Sequence, residues 1–299
     1  MEHYKLDILK EALPYIQRFN NKVFVIKLSG KIVADLSTMK SLAKEVALLH
    51  QVGFFPIIVH GGGKQMNELA AKLGIEQTIY GGRRVTDEKT LELAKMVFGG
   101  LINTNIASTL RGAGAKVVGL SGVDGNLISA VRRNKVPQKC LETGKDIMVD
   151  FGFVGDIDKV DTSLLKNLIK EGYVPVISSL GADSAGEVYN INADTVAAKV
   201  AISLGAEKLI YLTDVNGIYK DIKDKDSKIN RLTVKEAEHL IETKEVFGGM
   251  VPKVASIINL LRNGVESAHI VGAFEENALL KEIFTDHGVG TMVSKGDLS

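Results

Sequence analysis

The chain has 299 residues, 45% of them hydrophobic and 24% charged, with 37 Lys and Arg against 36 Asp and Glu for a formal net charge of +1. That length supports a large buried core, as one domain or two fused lobes. Its near-balanced, interspersed charges exclude a one-signed surface for nucleic acid or membrane, so small anions must be caught by local sites.

In chain order, the opening MEHYKLDILKEALPYIQRF mixes charges with apolar residues, unlike a signal peptide. No apolar run reaches the roughly 18 residues of a membrane span. The single Cys140 cannot form an internal disulfide and lacks metal-motif neighbours, which fits a reducing compartment and a cytoplasmic protein. Residues 4–19 read as a helix with Leu6, Leu9, Leu13 and Ile16 on one side and Pro14 placed to kink it. That helix packs either on its own lobe or on another subunit.

VFVIKL (23–28), FPIIVH (55–60), AKVVGL (115–120), VPVISS (174–179), KLIYLT (208–213) and SAHIVG (267–272) read as strands buried on both faces, because they do not alternate with polar residues. Helical stretches are expected near 37–52, 64–73, 87–113, 162–172, 193–205, 233–243, 250–264 and 275–285. The alternation predicts a doubly wound α/β fold around a mostly parallel sheet. Segment 126–160 has another texture, with isolated Val and Ile between charged, Gly and Pro positions, and reads as small antiparallel strands or hairpins. GADSAGE, from Gly181 to Glu187, is the expected change of lobe.

Ligands in such sheets bind beyond the carboxyl ends of the strands, where helix N-termini offer backbone N–H groups. HGGGKQMNEL places Gly61, Gly62 and Gly63 at that kind of junction, either as an anion loop or as a tight turn. The P-loop and dinucleotide fingerprints are absent. Lys27 ends a buried strand, either as a snorkelling surface lysine or, with Gly30 beside it, as a phosphate ligand. Lys253 follows the glycine pair of GGMVPKV, as a phosphate ligand or an exposed first-turn lysine. Asp194 in YNINADTVAA either caps a helix or holds two lysines. Asp214 and Tyr219 in LTDVNGIY line a nucleotide pocket or simply form a turn. His60 reads as a packed or capping histidine rather than an acid–base group.

Taken in order, VIKLSG, IIVHGGG, GRRVTDEKT, YNINADTVAA, LIYLTDVNGIY and GGMVPK resemble the amino acid kinase family over essentially the whole chain. GRRVTD resembles the branch that phosphorylates N-acetyl-L-glutamate, not the kinases of aspartate, carbamate or uridylate. The resemblance implies an open αβα sandwich. Residues 1–20 would form a helix for oligomerisation and regulation, 21–181 the amino-acid lobe and 182–299 the ATP lobe. It further implies that Lys27 and Lys253 neutralise the transferring phosphoryl group and that Asp194 orients them. Gly30, Gly62 and Gly63 would be backbone donors around phosphates and substrate, Arg84 the clamp on the α-carboxylate, Asn190 a second substrate contact, and Asp214 and Tyr219 part of the nucleotide pocket.

ATP with Mg²⁺ is the expected donor, the ion held by phosphate oxygens and water and not by protein side chains. The N-terminal helix resembles that of hexameric, L-arginine-inhibited members, with Tyr15, His269, Glu282, Gly288 and Gly290 at the matching effector positions. Two readings compete: a sibling kinase for an aminoadipate-type substrate, and a non-catalytic amino-acid sensor. One departure stands out, since Ser29 replaces the first residue of the usual Gly-Gly pair and Lys31 follows Gly30.

Overall fold

The computed structural model describes residues 2–80, 83–139, 146–221, 224–246, 250–285 and 288–296. Cys140, Gly248 and Gly249, and the side chains of Leu6 and Leu9, lie outside the described residues.

Eight strands form the central sheet: β1 (Val23–Leu28), β2 (Phe55–His60), β3 (Val117–Ser121), β4 (Val174–Ser178), β5 (Lys208–Thr213), β6 (Arg231–Thr233), β7 (Ser267–Gly272) and β8 (Thr291–Ser294). Their spatial order is β6-β8-β7-β5-β1-β2-β4-β3. All six strands expected from the sequence lie in this sheet and pair in parallel. The two short additions at one edge, β8 and β6, run against them. β1 is the pivot. The chain builds β2, β3 and β4 on one side of it, then returns to build β5, β7, β8 and β6 on the other.

Helices α1 (Glu2–Phe19), α2 (Gly30–Ala34), α3 (Leu36–Gln51), α4 (Gly63–Lys72), α5 (Glu88–Ala94), α6 (Asn103–Gly112), α7 (Ser163–Lys170), α8 (Ala193–Leu204), α9 (Val234–Glu242), α10 (Met250–Arg262) and α11 (Ala278–Phe284) cover both faces. Alternate residues of the central strands feed two cores. Val25, Val59, Leu209 and Tyr211 meet the layer of α7 to α10, while Phe24, Ile26, Ile58 and Leu212 meet α3 to α6 and α11. Each such side chain contributes roughly 1.5–3 kcal/mol by leaving water, which is why the strands tolerate no polar face.

The helix starts are written locally. Asp35 accepts from the Thr38 N–H at 2.7 Å, and its own hydrogen bonds, that one first, hold its carboxyl down at about 2. Asp87 does the same for Thr90 at 2.8 Å, so the DEKT of GRRVTDEKT is a helix cap. Thr233 and Glu236 form a capping box on α9. Between α5 and α6 the helix widens into a π-helical run, Lys95–Ile102, carrying Gly99 and Gly100.

The 126–160 segment folds as expected into small antiparallel pieces. Ile128–Arg132 pairs with Gly155–Val160, and Val136–Lys139 pairs with Asp146–Val149. GADSAGE is the turn of a hairpin between Leu180–Ala182 and Val188–Asn190, tied by Asp183 accepting from Ala185 and Glu187 N–H at 2.9 Å each.

α1 runs unbroken through Pro14. Among its described side chains, Phe19 packs edge-on against Phe24 and Phe54 and Tyr15 against Phe284, while Ile16 is half-buried and Leu13 stays 49% exposed. A leucine stripe beside a Tyr/Phe stripe is ambiguous by period alone. The sheet offered a ring-lined socket.

Candidate active site

The carboxyl ends of β1, β2 and β5 open on one side of the sheet, and the expected anion-binding residues gather there. Lys27, near the end of β1, is largely buried, and its Nζ lies 2.7 Å from Asp194 Oδ1 in the first turn of α8. Asn192, not Asp194, caps that helix by accepting from the Thr195 N–H at 3.0 Å. Of the two roles open to Asp194, the lysine-holding one is what the geometry realises. The cap three residues before Thr195 was readable as an Asn-x-x-Thr signal.

Lys253 enters from α10 on the other side of Asp194. Burial lowers its pKa, Asp194 opposes that fall, and Lys27 adds to it. Lys27 pairs with Asp194 while Lys253 feels the charges of Asp194 and Asp214 from farther away, leaving an excess positive charge in a partly desolvated place. An anion completes this arrangement. Lys253 Nζ also stands 6.0 Å from the centre of the Tyr211 ring, whose buried phenol is pushed up in pKa chiefly by desolvation.

The glycine loops come close for steric reasons. A Cβ on Gly62 would sit 2.1 Å from Ile102 Cδ1 and 2.9 Å from Phe98 Cδ1, both on the π-helical run. A larger residue there would push the Ile102 and Phe98 side chains aside. Gly30 opens α2, and its carbonyl accepts from Gln65 Nε2 of α4 at 2.9 Å, tying the β1 and β2 loops together.

Arg84 donates to the Gly63 carbonyl at 3.3 Å and to Asn67 Oδ1. Burial lowers its pKa, yet a guanidinium stays charged, so its fork remains available to a carboxylate. Asn190 donates to Thr86 Oγ1 at 3.2 Å, and fully buried Thr86 forms an isolated bridge to the 151–153 segment, Thr86 N–H to Phe151 O at 2.9 Å and Phe153 N–H to Thr86 O at 2.7 Å. Thr86 and Gln65 position residues singled out by sequence, but neither carried a chemical signal of its own.

Two adjoining cavities, of about 410 and 250 Å³, share Arg84, Asn190 and Asp194. Lys253 lines the first, with Arg83 and Arg133 nearby. Lys27, Gly30, Gly62 and Gly63 line the second. Of the nucleotide-side expectations, Tyr219 lines a separate cavity of about 500 Å³ with Gly217, Lys220, Asp221, Glu245 and Met250. Asp214 does not line it. It pairs with Lys31, which lowers its pKa, and accepts from Thr213 Oγ1 at 3.1 Å.

No group of three or more metal-ligating side chains occurs among the described residues. Asp194 and Asp214 are each engaged by a lysine. No helix among them is long and apolar enough to cross a membrane.

The five residues expected around an effector also come together, at the other end of the strands. Tyr15, His269, Glu282 and Gly288 line a cavity of about 180 Å³ beside Arg18 and Lys208. Gly290 stands behind it and donates its N–H to Glu282 Oε2 at 2.9 Å. His269 Nδ1 lies 2.6 Å from Glu282 Oε1, and its Nε2 lies 3.1 Å from Lys208 Nζ. Burial, with Lys208 next, holds His269 down at about 4, and burial brings Lys208 down to about 8.

Residues 22–272 match the model of the amino acid kinase family. The acetylglutamate kinase of Methanocaldococcus jannaschii is 45% identical over 291 residues, covering 97% of this chain and 96% of that protein. That of Methanosphaera stadtmanae is 46% identical over 287 residues, covering 96% of each. Among solved structures, the N-acetylglutamate synthase of Neisseria gonorrhoeae, complexed with coenzyme A and N-acetyl-glutamate, superposes with a TM-score of 0.80 at 28% identity; the match covers 98% of this chain and 64% of the synthase. Giardia carbamate kinase superposes with a TM-score of 0.64 at 16% identity over 92% of this chain and 99% of that one, a likeness of fold.

Proposed function

The chain belongs to the amino acid kinase family and is a kinase, and from that premise we propose that it transfers the terminal phosphoryl group of ATP to the γ-carboxylate of N-acetyl-L-glutamate, giving N-acetyl-L-glutamyl 5-phosphate for arginine biosynthesis. The observation that carries this reading is the Lys27–Asp194–Lys253 arrangement, with its surplus positive charge, beside Arg84 and Asn190 in one cleft. Relatives named for that activity match along nearly the whole chain.

Phosphoryl transfer goes through a loose transition state with its charge on the transferring oxygens, so positioning and electrostatics dominate. Lys27 and Lys253 approach that charge from two elements, and Asp194 orients them. The Gly62 and Gly63 amides at the start of α4 add backbone donors. Arg84 grips the α-carboxylate with its planar fork, and Asn190, held by Thr86, makes the second contact. The γ-carboxylate is ionised at neutral pH, so the acceptor needs no general base. Mg²⁺, arriving with the nucleotide, would neutralise phosphate charge through oxygen ligands.

In this reading residues 21–181 supply the acceptor half and 182–299 the nucleotide half, with Tyr219 and Asp214 toward the nucleotide. Residues 1–20 join subunits into a cytoplasmic homohexamer. L-arginine binds in the cavity of Tyr15, His269, Glu282 and Gly288, where Glu282 and neighbouring Glu266 and Glu207 suit its cationic groups, and inhibits turnover. A coupled assay of ADP release tests the activity, with ATP, Mg²⁺ and N-acetyl-L-glutamate run beside glutamate, aspartate and N-acetyl-aminoadipate. Preference for N-acetyl-L-glutamate is expected. Preference for another acceptor overturns the substrate assignment, no turnover on any overturns the reaction, and full activity at millimolar L-arginine overturns the inhibition.

A further inference from the structure

His60 ends β2 with no exposed surface, in register between Leu28 of β1 and Ser178 of β4. Its Nδ1 lies 2.8 Å from the carbonyl oxygen of Gly61, and its Nε2 lies 3.1 Å from Asn103 Nδ2. Asn103, itself 5% exposed, begins α6 just after the π-helical run. Its Nδ2 also lies 2.9 Å from Val176 O and 3.1 Å from Leu120 O. Two carbonyl acceptors on one atom identify that atom as the amide nitrogen, since an oxygen there would face oxygen twice.

The tautomer follows. Gly61 O can only accept, so the proton of the neutral ring sits on Nδ1 and is donated to it, leaving Nε2 bare toward Asn103 Nδ2, whose two hydrogens are shared among Nε2 and the two carbonyls. Imidazolium would put an Nε2–H against the amide hydrogens, and burial independently holds His60 down at about 4. Asn103 reaches the sheet only because residue 119 is glycine, whose Cβ would stand 2.0 Å from Asn103 Oδ1.

A trans peptide points its C=O and N–H in opposite directions. Clamping the Gly61 carbonyl toward the buried ring therefore turns the Gly62 N–H away from it, to the side where Gly62 lines the cavity with Lys27 and Gly30. Gly62 has no Cβ and a crowded neighbour in Ile102.

We propose that His60 and Asn103 form a positioning relay that locks the Gly61–Gly62 peptide so that the Gly62 N–H faces the transferring phosphoryl group. The proposal rests on the phosphotransfer reading above. His60 never touches substrate; it acts through the glycine amide, in the way a preset donor stabilises charge that develops only in the transition state.

The first measurement is on the unaltered protein: ¹⁵N shifts of the His60 ring, expected to show a protonated Nδ1 and a bare Nε2. The opposite tautomer overturns the relay. The second is calorimetric affinity for the ADP–Mg²⁺–tetrafluoroaluminate mimic with acceptor present, against affinity for ADP alone. In His60→Leu the mimic should weaken on the order of 10–100-fold while ADP stays within about threefold. His60→Asn, whose amide can still donate to Gly61 O, should recover most of that loss. Parallel loss of ADP and mimic, or equal behaviour of the Leu and Asn variants, marks mere packing and overturns the proposal. If the unaltered protein binds no mimic, the phosphotransfer reading falls and this inference with it; if it binds and both variants match it, this inference alone falls.

Discussion

Two clusters of charge sit on the same sheet at opposite ends of its strands, and they are built to different ends. Lys27, Asp194 and Lys253 at the carboxyl ends carry two positive charges against one negative and open onto a cleft. Lys208, His269 and Glu282 near the amino ends are almost wholly buried, with His269 neutral, so the positive and negative charges cancel. The first carries surplus charge onto its cleft, whereas the second is balanced within the chain and lines the smaller cavity. Surplus charge under partial burial is a sign of chemistry, and balanced charge under full burial is a sign of assembly.

This contrast can be broken experimentally, and the greatest change is expected at the open cluster. Lys27→Ala or Lys253→Ala should lower kcat on the order of 100-fold or more, as loss of a transition-state charge does, with little change in the urea midpoint; normal turnover in either removes that lysine from the role. At the sealed cluster the signs reverse. Glu282→Ala strips the acceptor from His269 and from the Val289 and Gly290 N–H groups. It should cost about 3 kcal/mol in denaturant unfolding while leaving kcat near wild type.

Acid should find two buried histidines, His60 at the carboxyl end of its strand and His269 in the second cluster. His60 and His269 are held neutral down to about 4, while an unfolded imidazole titrates near 6.5. The unfolded chain therefore binds more protons between those values, so stability is full above about 6.5 and declines as pH falls toward 4. Between pH 7.5 and 5 the loss should be about 2 kcal/mol for a single such ring, and His60→Asn should flatten the urea-midpoint curve. Arg84→Lys comes next, raising KM for the acceptor at least about tenfold, or about 1.4 kcal/mol, because an ammonium lacks the fork. Smallest is Lys31→Ala: its bond to Asp214 is exposed, so KM for ATP should rise only about twofold.

Much of the open site was legible in the chain. Glycines after strands, a lysine where a strand ends and a carboxylate starting a helix are local patterns with local causes, and they placed Lys27, Gly62 and Asp194 correctly in the fold. The remainder depended on distance. Asn103 became a partner of His60 only because a π-helical run and Gly119 bring it to the sheet, and Thr86 became Asn190's support through pairing with residues 151–153. Tertiary pairing of that kind leaves no periodic trace. The docking of α1 by Tyr15 and Phe19 was hidden for the same reason, and the hairpin at GADSAGE was masked because a turn and a linker use the same residues.

One feature of the sheet bears on how the molecule is made. β8, the latest strand in the chain, lies between β6 and β7, both of which leave the ribosome earlier. During synthesis β7 therefore has an open edge and β6 has nowhere to dock until residues 291–294 emerge. Closure of that edge, and with it the Glu282 acceptor shell supplied by Val289 and Gly290, is a late and non-local folding event. A nascent chain halted before β8 would already hold Lys27, Asp194 and Lys253 while still exposing an unpaired strand to its neighbours.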